Sequence, residues 1–221
     1  MQPLHYVGAY VLAARLSALG LDAGPALQAG PHARLSDVWA RSVRPQWMVR
    51  LAAAVGVDRR RLVAAVLACV EQCLENTRPD HDGVDRALDA ARRWTAGSAS
   101  GFEAWAAGRE ALEAWRHARK GPQAHVARLA AAVARACDAD AEASYYARQG
   151  ALEEALEHLQ RACGEDRGVV ARRCADVLRS RIDVVDVEQR LERAAAESRM
   201  TIVPAPTGLE VAWSLDRQPI S

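Results

Sequence analysis

Apolar residues recur along this chain with the period of a helix. Trp47, Met48, Leu51 and Val55 share one face. Pro45 suits the first turn ahead of them, because its missing N–H would have no intrahelical partner there. Gly56 closes the segment with a left-handed residue. Asp58 is then placed to cap a second helix with its carboxylate. In that helix Leu62, Val63, Val66, Leu67, Cys69, Val70, Cys73 and Leu74 cover close to half the circumference, with Arg61, Glu71, Gln72 and Glu75 opposite. Asn76 and Pro79 stop it. Asp82, with Asp85 three residues on, predicts the cap of a third helix, whose stripe is Val84, Ala87, Leu88, Ala91 and Trp94 and whose end is Gly97.

The same reading extends in both directions. Leu4 to Leu19 predicts a helix closed by Gly20, and residues 22–35, rich in Gly, Pro and Ala, read as a linker. Ser36 or Asp37 then caps a turn carrying Val38 and Trp39. Residues 102–119 predict a helix with Trp105, Gly108, Leu112 and Trp115 on one side. A glycine inside a helix costs about 1 kcal/mol against alanine, so Gly108 points to a close helix crossing. Residues 123–137 place Val126, Leu129, Ala130 and Val133 together; an alanine-rich stretch, 138–149, leads to Gly150 and a further helix over 151–163. Val169, Val170, Cys174, Val177, Leu178 and Ile182 make another amphipathic helix, and 184–195 the last. Met200 to Val203 and Leu209 to Leu215, around a Pro/Gly turn, read as an extended hairpin that must dock on helices or on a partner. Residues 216–221 are expected to fray. The expected fold is all-α: a single multi-helix bundle or helical-hairpin array over 1–199, with a short extended hairpin-like tail over 200–221.

Composition sharpens this in three respects. Half the chain is hydrophobic, but much of that is alanine, so six Trp and the Leu/Val stripes must supply most of the burial. The net charge of +1 disfavours nucleic acid and a charged membrane surface as partners, although residues 1–70 hold eight Arg against three Asp. Five cysteines cannot all pair, and each lies in an apolar helical run, where a thiol serves as a small hydrophobe. A reduced, cytoplasmic protein is expected, without a membrane span or a signal peptide.

Catalytic signatures are missing. The chain has no Gly-rich phosphate loop, no Gly-x-Ser-x-Gly and no His-Glu-x-x-His. Cys69 and Cys73, one turn apart, could ligate a metal but have no companion pair and read as core. His81, between Asp80 and Asp82, reads as a solvated loop residue. His117, His125 and His158 lie at no mutual ligand spacing. Neither enzyme, cofactor nor metal is expected. The segment from Ala143 to Leu156 resembles one tetratricopeptide hairpin, but no second copy exists to make an array.

A longer resemblance runs through the first three helices. The run Arg44-Pro45-x-Trp47-Met48, then Gly56-Val57-Asp58-Arg59-Arg60-Arg61-Leu62-Val63, then Ala68-Cys69, then Asp85 through Ala87-Leu88 and Ala90-Ala91-Arg92-Arg93-Trp94 to Gly97, is similar to predicted immunity proteins of bacterial polymorphic-toxin systems, the fifth of the numbered families of that class. Cys174-Ala175-Asp176-Val177-Leu178-Arg179 fits that family's late segment, so the likeness spans roughly residues 38–182 within a helical core of 36–183. The chain departs from the pattern at Val70-Glu71-Gln72 and at Gly83-Val84. The resemblance implies a small non-catalytic protein that binds and neutralises a toxin; the competing expectation is a helical adaptor or scaffold within a larger defence or regulatory complex. Trp39, Arg41, Arg44, Trp47 and Arg50 are the expected partner-binding set, because Trp and Arg dominate hot spots and an Arg cluster could clamp an acidic toxin surface. The opposing reading puts both rings in the core and leaves the arginines at its wet edge.

Overall fold

Pro25, Pro45 and Pro122 each stand in the first turn of a helix, where proline's fixed φ helps and its missing N–H costs nothing. A computed structural model describes residues 7–30, 32–74, 81–118, 120–138 and 145–197. Its elements are α1 (Val7–Ala18), α2 (Gly24–Gln28), α3 (Leu35–Arg41), α4 (Pro45–Ala54), α5 (Arg59–Leu74), α6 (Asp82–Thr95), α7 (Gly101–Ala118), α8 (Pro122–Ala136), α9 (Tyr145–Ala162), α10 (Arg167–Arg181) and α11 (Val184–Glu197). The fold is all-α, with no strand among the described residues. The expected tail hairpin over 200–221 lies outside them.

The local rules hold at several ends. Asp58 accepts from the Arg61 amide at 3.0 Å, as its place before α5 predicts. Elsewhere the structure corrects the expectation. The cap of α6 is His81, whose Nδ1 accepts from the Gly83 amide at 3.1 Å, and Asp82 is already helical. Asp37 lies within α3 and reaches back to accept from the Arg34 amide at 3.0 Å. The expected linker over 22–35 contains α2, which Asp22 starts by accepting from the Gly24 amide at 2.8 Å. Gly150 does not divide two segments, because α9 runs straight through it.

One hydrophobic core extends from Leu12 on α1 to Leu191 on α11. Helices α6, α7, α8 and α9 pack in succession, and α5 lies across α6, α8, α9 and α10. α4 leans on α9 and α10, and α3 on α11. α8 is the inner post: ten of its residues are buried, seven of them alanines, and α5, α6, α7 and α9 all touch it. Methyl side chains let these helices come close. The tightest place is Gly108 of α7, where an added Cβ would lie 2.8 Å from the Ala134 Cβ of α8.

Side chains from one helix tie down the ends of others. Arg59 of α5 lies 4.9 Å over the Trp94 ring and donates to the Cys137 and Asp138 carbonyls at the end of α8. Arg179 of α10 donates to the Trp39 and Ser42 carbonyls, at 3.2 and 2.7 Å, closing the end of α3. No helix among the described residues is long and apolar enough to cross a membrane.

Candidate functional site

The structure divides the expected partner-binding set. Trp39 and Trp47 are 2% and 4% exposed, so both rings belong to the core. The Trp47 Nε1–H donates to the Asp22 carbonyl at 2.9 Å, which ties α4 to the segment before α2. Arg41, Arg44 and Arg50 are exposed. Arg44 pairs with Asp22 at 2.7 Å, and Arg50 makes a two-pronged contact with Glu153 of α9, at 2.8 and 2.5 Å. The Gly24 amide, then Arg44, hold the Asp22 carboxyl below its ordinary range.

Arg44 and Trp47 line a cleft of about 530 Å³ between α4 and α9, with Glu153, Glu157, Arg161 and Arg167 among its other walls. Its charges largely answer one another: Arg50 holds Glu153, and Arg161 holds Glu157. Such a wall is polar but close to neutral, and offers an incoming charge little net attraction.

α7 presents the opposite case. At about 100° per residue, Phe102, Trp105, Arg109, Leu112 and Arg116 fall within one arc, with Trp115 at its inner edge. Phe102, the only phenylalanine of the chain, is 70% exposed. Trp105, Leu112 and Trp115 are half-buried. The Phe102 and Trp105 rings are 5.7 Å apart, the Arg109 guanidinium lies 5.4 Å from the Trp105 ring, and Arg128 of α8 lies 4.5 Å from the Trp115 ring. Each aromatic is therefore next to another ring or under a cation.

A groove of about 300 Å³ runs along this edge, between α7 and α8. Arg116, Arg128 and Arg135 line it, with Glu154 of α9 as its carboxylate. Arg128 and Arg135 both pair with Glu154, and Arg116 pairs with Glu113. The buried Nε of Arg128 has no hydrogen-bond partner among the described residues. With Glu113 counted, three guanidinium groups meet two carboxylates, so the groove keeps one net positive charge, and its floor is apolar. The close approach at Gly108 holds the aromatic edge beside it. Sequence reading missed Phe102, Arg109, Arg116, Arg128 and Arg135. The signal that could have found them is arginine inside the same narrow arc as Trp105 and Leu112, which a core stripe does not tolerate.

The histidines also differ from expectation. His125 of α8 and His158 of α9 meet, with Nδ1 atoms 3.1 Å apart and ring centroids 5.3 Å apart. One Nδ1 must carry a hydrogen for the other to accept. Burial lowers the pKa of both, and arginines add to this: Arg161, Arg167 and Arg128 around His125, Arg128 and Arg161 around His158. Glu154, 3.8 Å from His158, opposes the shift in part. No cluster of three or more His, Cys, Asp or Glu suited to a metal ion occurs among the described residues.

Together these observations define an all-α chain whose most exposed specific chemistry is an aromatic and arginine-lined helix edge. Among known proteins, the chain matches no family model, no curated protein and no solved structure.

Proposed function

We propose that this chain is a non-catalytic protein-binding protein, an immunity-type inhibitor that neutralises a cognate toxin by seating an acidic segment of it, with an apolar anchor, on the α7–α8 edge. One observation carries the reading: the chain's single phenylalanine stands 70% exposed beside Trp105, with arginines through the same arc. Aromatic residues bury large areas at low entropic cost, and Trp and Arg are the residue types most enriched in binding hot spots. The cationic groove beside them suits carboxylates. The resemblance over residues 38–182 supports the inhibitor role and stands on the residue pattern itself.

Co-expression with toxin domains encoded in the same genome tests this reading. Protection by the intact chain is expected, with loss of protection by Phe102→Ala combined with Trp105→Ala. In a binding assay with the toxin so identified, each substitution should weaken affinity by about 10- to 30-fold, as hot-spot truncations do. Affinity should also fall as salt rises. Failure to protect against any of the toxins, with stable capture of a non-toxin enzyme instead, would favour an adaptor and sink the inhibitor reading.

A further inference from the structure

Four of the five free cysteines meet where α5 lies on α10 and where α9 ends. Cys69 and Cys73 stand one turn apart on α5, Cys174 is on α10, and Cys163 follows the last residue of α9. The Cys73 and Cys174 sulfurs are 3.8 Å apart. Cys69 Sγ donates to the Cys174 carbonyl at 3.6 Å, and Cys163 Sγ to the Cys73 carbonyl at 3.5 Å. The group runs from the surface inward: Cys163 is half-buried, Cys73 is 7% exposed, and Cys69 and Cys174 are fully buried.

Packing alone would account for one thiol in an alanine-rich core. It does not require four, drawn from two helices and the residue after a third, with two sulfurs in direct contact. The polar surroundings also differ from those of an inert buried thiol. The neighbouring Cys163 and Cys174 thiols lower the pKa of Cys73, burial opposes them, and the Arg173 guanidinium adds to the lowering. Arg173 is itself held by Glu165, at 3.2 and 3.0 Å. Cys137 supplies the contrast inside the same molecule. It is buried away from the other four, donates to the Val133 carbonyl at 3.4 Å, and is pushed up to about 12 by burial.

We propose that Cys73 and Cys174 are an oxidation site, a dithiol that hydrogen peroxide converts to a disulfide pinning α5 to α10. The Cys73 thiolate attacks one peroxide oxygen, the O–O bond breaks, and the departing hydroxide takes a proton to become water. Cys73 is then a sulfenic acid. The Cys174 sulfur attacks the Cys73 sulfur, the S–O bond breaks, and the second hydroxide leaves with the Cys174 proton as water. Two thiols have lost two electrons and two protons, and one peroxide has become two waters. The sulfurs must close from 3.8 Å to about 2.05 Å, a movement within reach of side-chain rotation and a slight approach of the helices. The bond closes a long loop, since the two residues are 101 apart in sequence.

The experiment uses the full chain, fully reduced, then titrated with hydrogen peroxide, alkylated and mapped by mass spectrometry. The expected product has lost two hydrogens and yields one cross-linked peptide pair holding Cys73 and Cys174, both in the wild type and in Cys163→Ser. Cys73→Ser should yield none. The oxidised wild type should melt roughly 5–15 °C above the reduced form, a shift that dithiothreitol reverses. A cross-link of Cys73 to Cys163, addition of oxygen without a cross-link, or unchanged thiols at a peroxide excess that modifies Cys163 would each overturn the proposal. The wild-type map decides by itself, so a poorly folding Cys73→Ser variant would not shelter it.

Discussion

Gly108 and Gly150 both lie inside long helices, and the space around them differs. At Gly108 an added methyl would meet the Ala134 Cβ at 2.8 Å and the Ala131 carbonyl oxygen at 3.4 Å, and neither atom belongs to a side chain that can swing away. At Gly150 an added methyl would meet nothing within 4 Å among the described residues. Alanine in place of glycine should favour a helix by about 1 kcal/mol through the unfolded chain. Gly150→Ala should therefore raise stability by about 0.5–1 kcal/mol. Gly108→Ala should lower it by about 1–2 kcal/mol, because overpacking exceeds the propensity gain. Urea midpoints of the two variants would show the opposite signs. The same reasoning explains why residues 138–163 read as two segments: a glycine with open space around it does little to a helix, but the sequence does not show the space.

Between helices, the late Cys-Ala-Asp-x-x-Arg segment has identifiable duties. Arg179 holds two carbonyls at the end of α3, and Asp176 holds Arg179 at 2.5 Å. Arg179→Met keeps the aliphatic stem and removes the donors, and should cost about 1.5–3 kcal/mol. Asp176→Asn, at a carboxylate that is 71% exposed, should change stability by less than about 0.5 kcal/mol. Chemical denaturation of both variants would separate the duties. The contact of α8 with α9 responds to acid through His125 and His158. Burial first, then the surrounding arginines, lower both pKa values from the ordinary 6.5. The unfolded chain therefore binds more protons than the folded one just below that pH. The contribution of the pair is complete above about pH 6.5 and is lost as pH falls toward the lowered folded values. Unfolding free energies at pH 8 and 5.5 should differ more for the wild type than for a His125→Asn, His158→Asn double variant.

Across the chain, what could be read from residue order was the set of wide apolar faces. The stripes of α5, α6, α8 and α10 belong to helices, and the all-α fold follows from them. Two things resisted. Gly24 and Pro25 read as breakers, whereas proline at a helix start is a promoter, so α2 went unseen. The expected partner set divides on angle: Arg50 lies about 60° round α4 from the buried Trp47, at the water line of an inward-facing ring, and Arg44 stands just before the helix. Arg109 and Arg116 lie within about 40° of Trp105, which places ring and cation on one outward surface.

The enclosed position of α8 also bears on how the chain reaches this state. A post wrapped by four neighbours is poorly suited to arrive last. Ala130→Gly should slow refolding, with a φ-value of roughly 0.5–0.8, whereas Ala195→Gly near the end of α11 should chiefly speed unfolding, with a value near zero. Chevron plots of the two variants would report the difference. During synthesis the order is awkward, because α8 begins only at residue 122. The preceding segments leave the ribosome with their greasy sides uncovered, waiting for the strut around which they close, and nascent chains halted before that point should be the ones that chaperones hold longest.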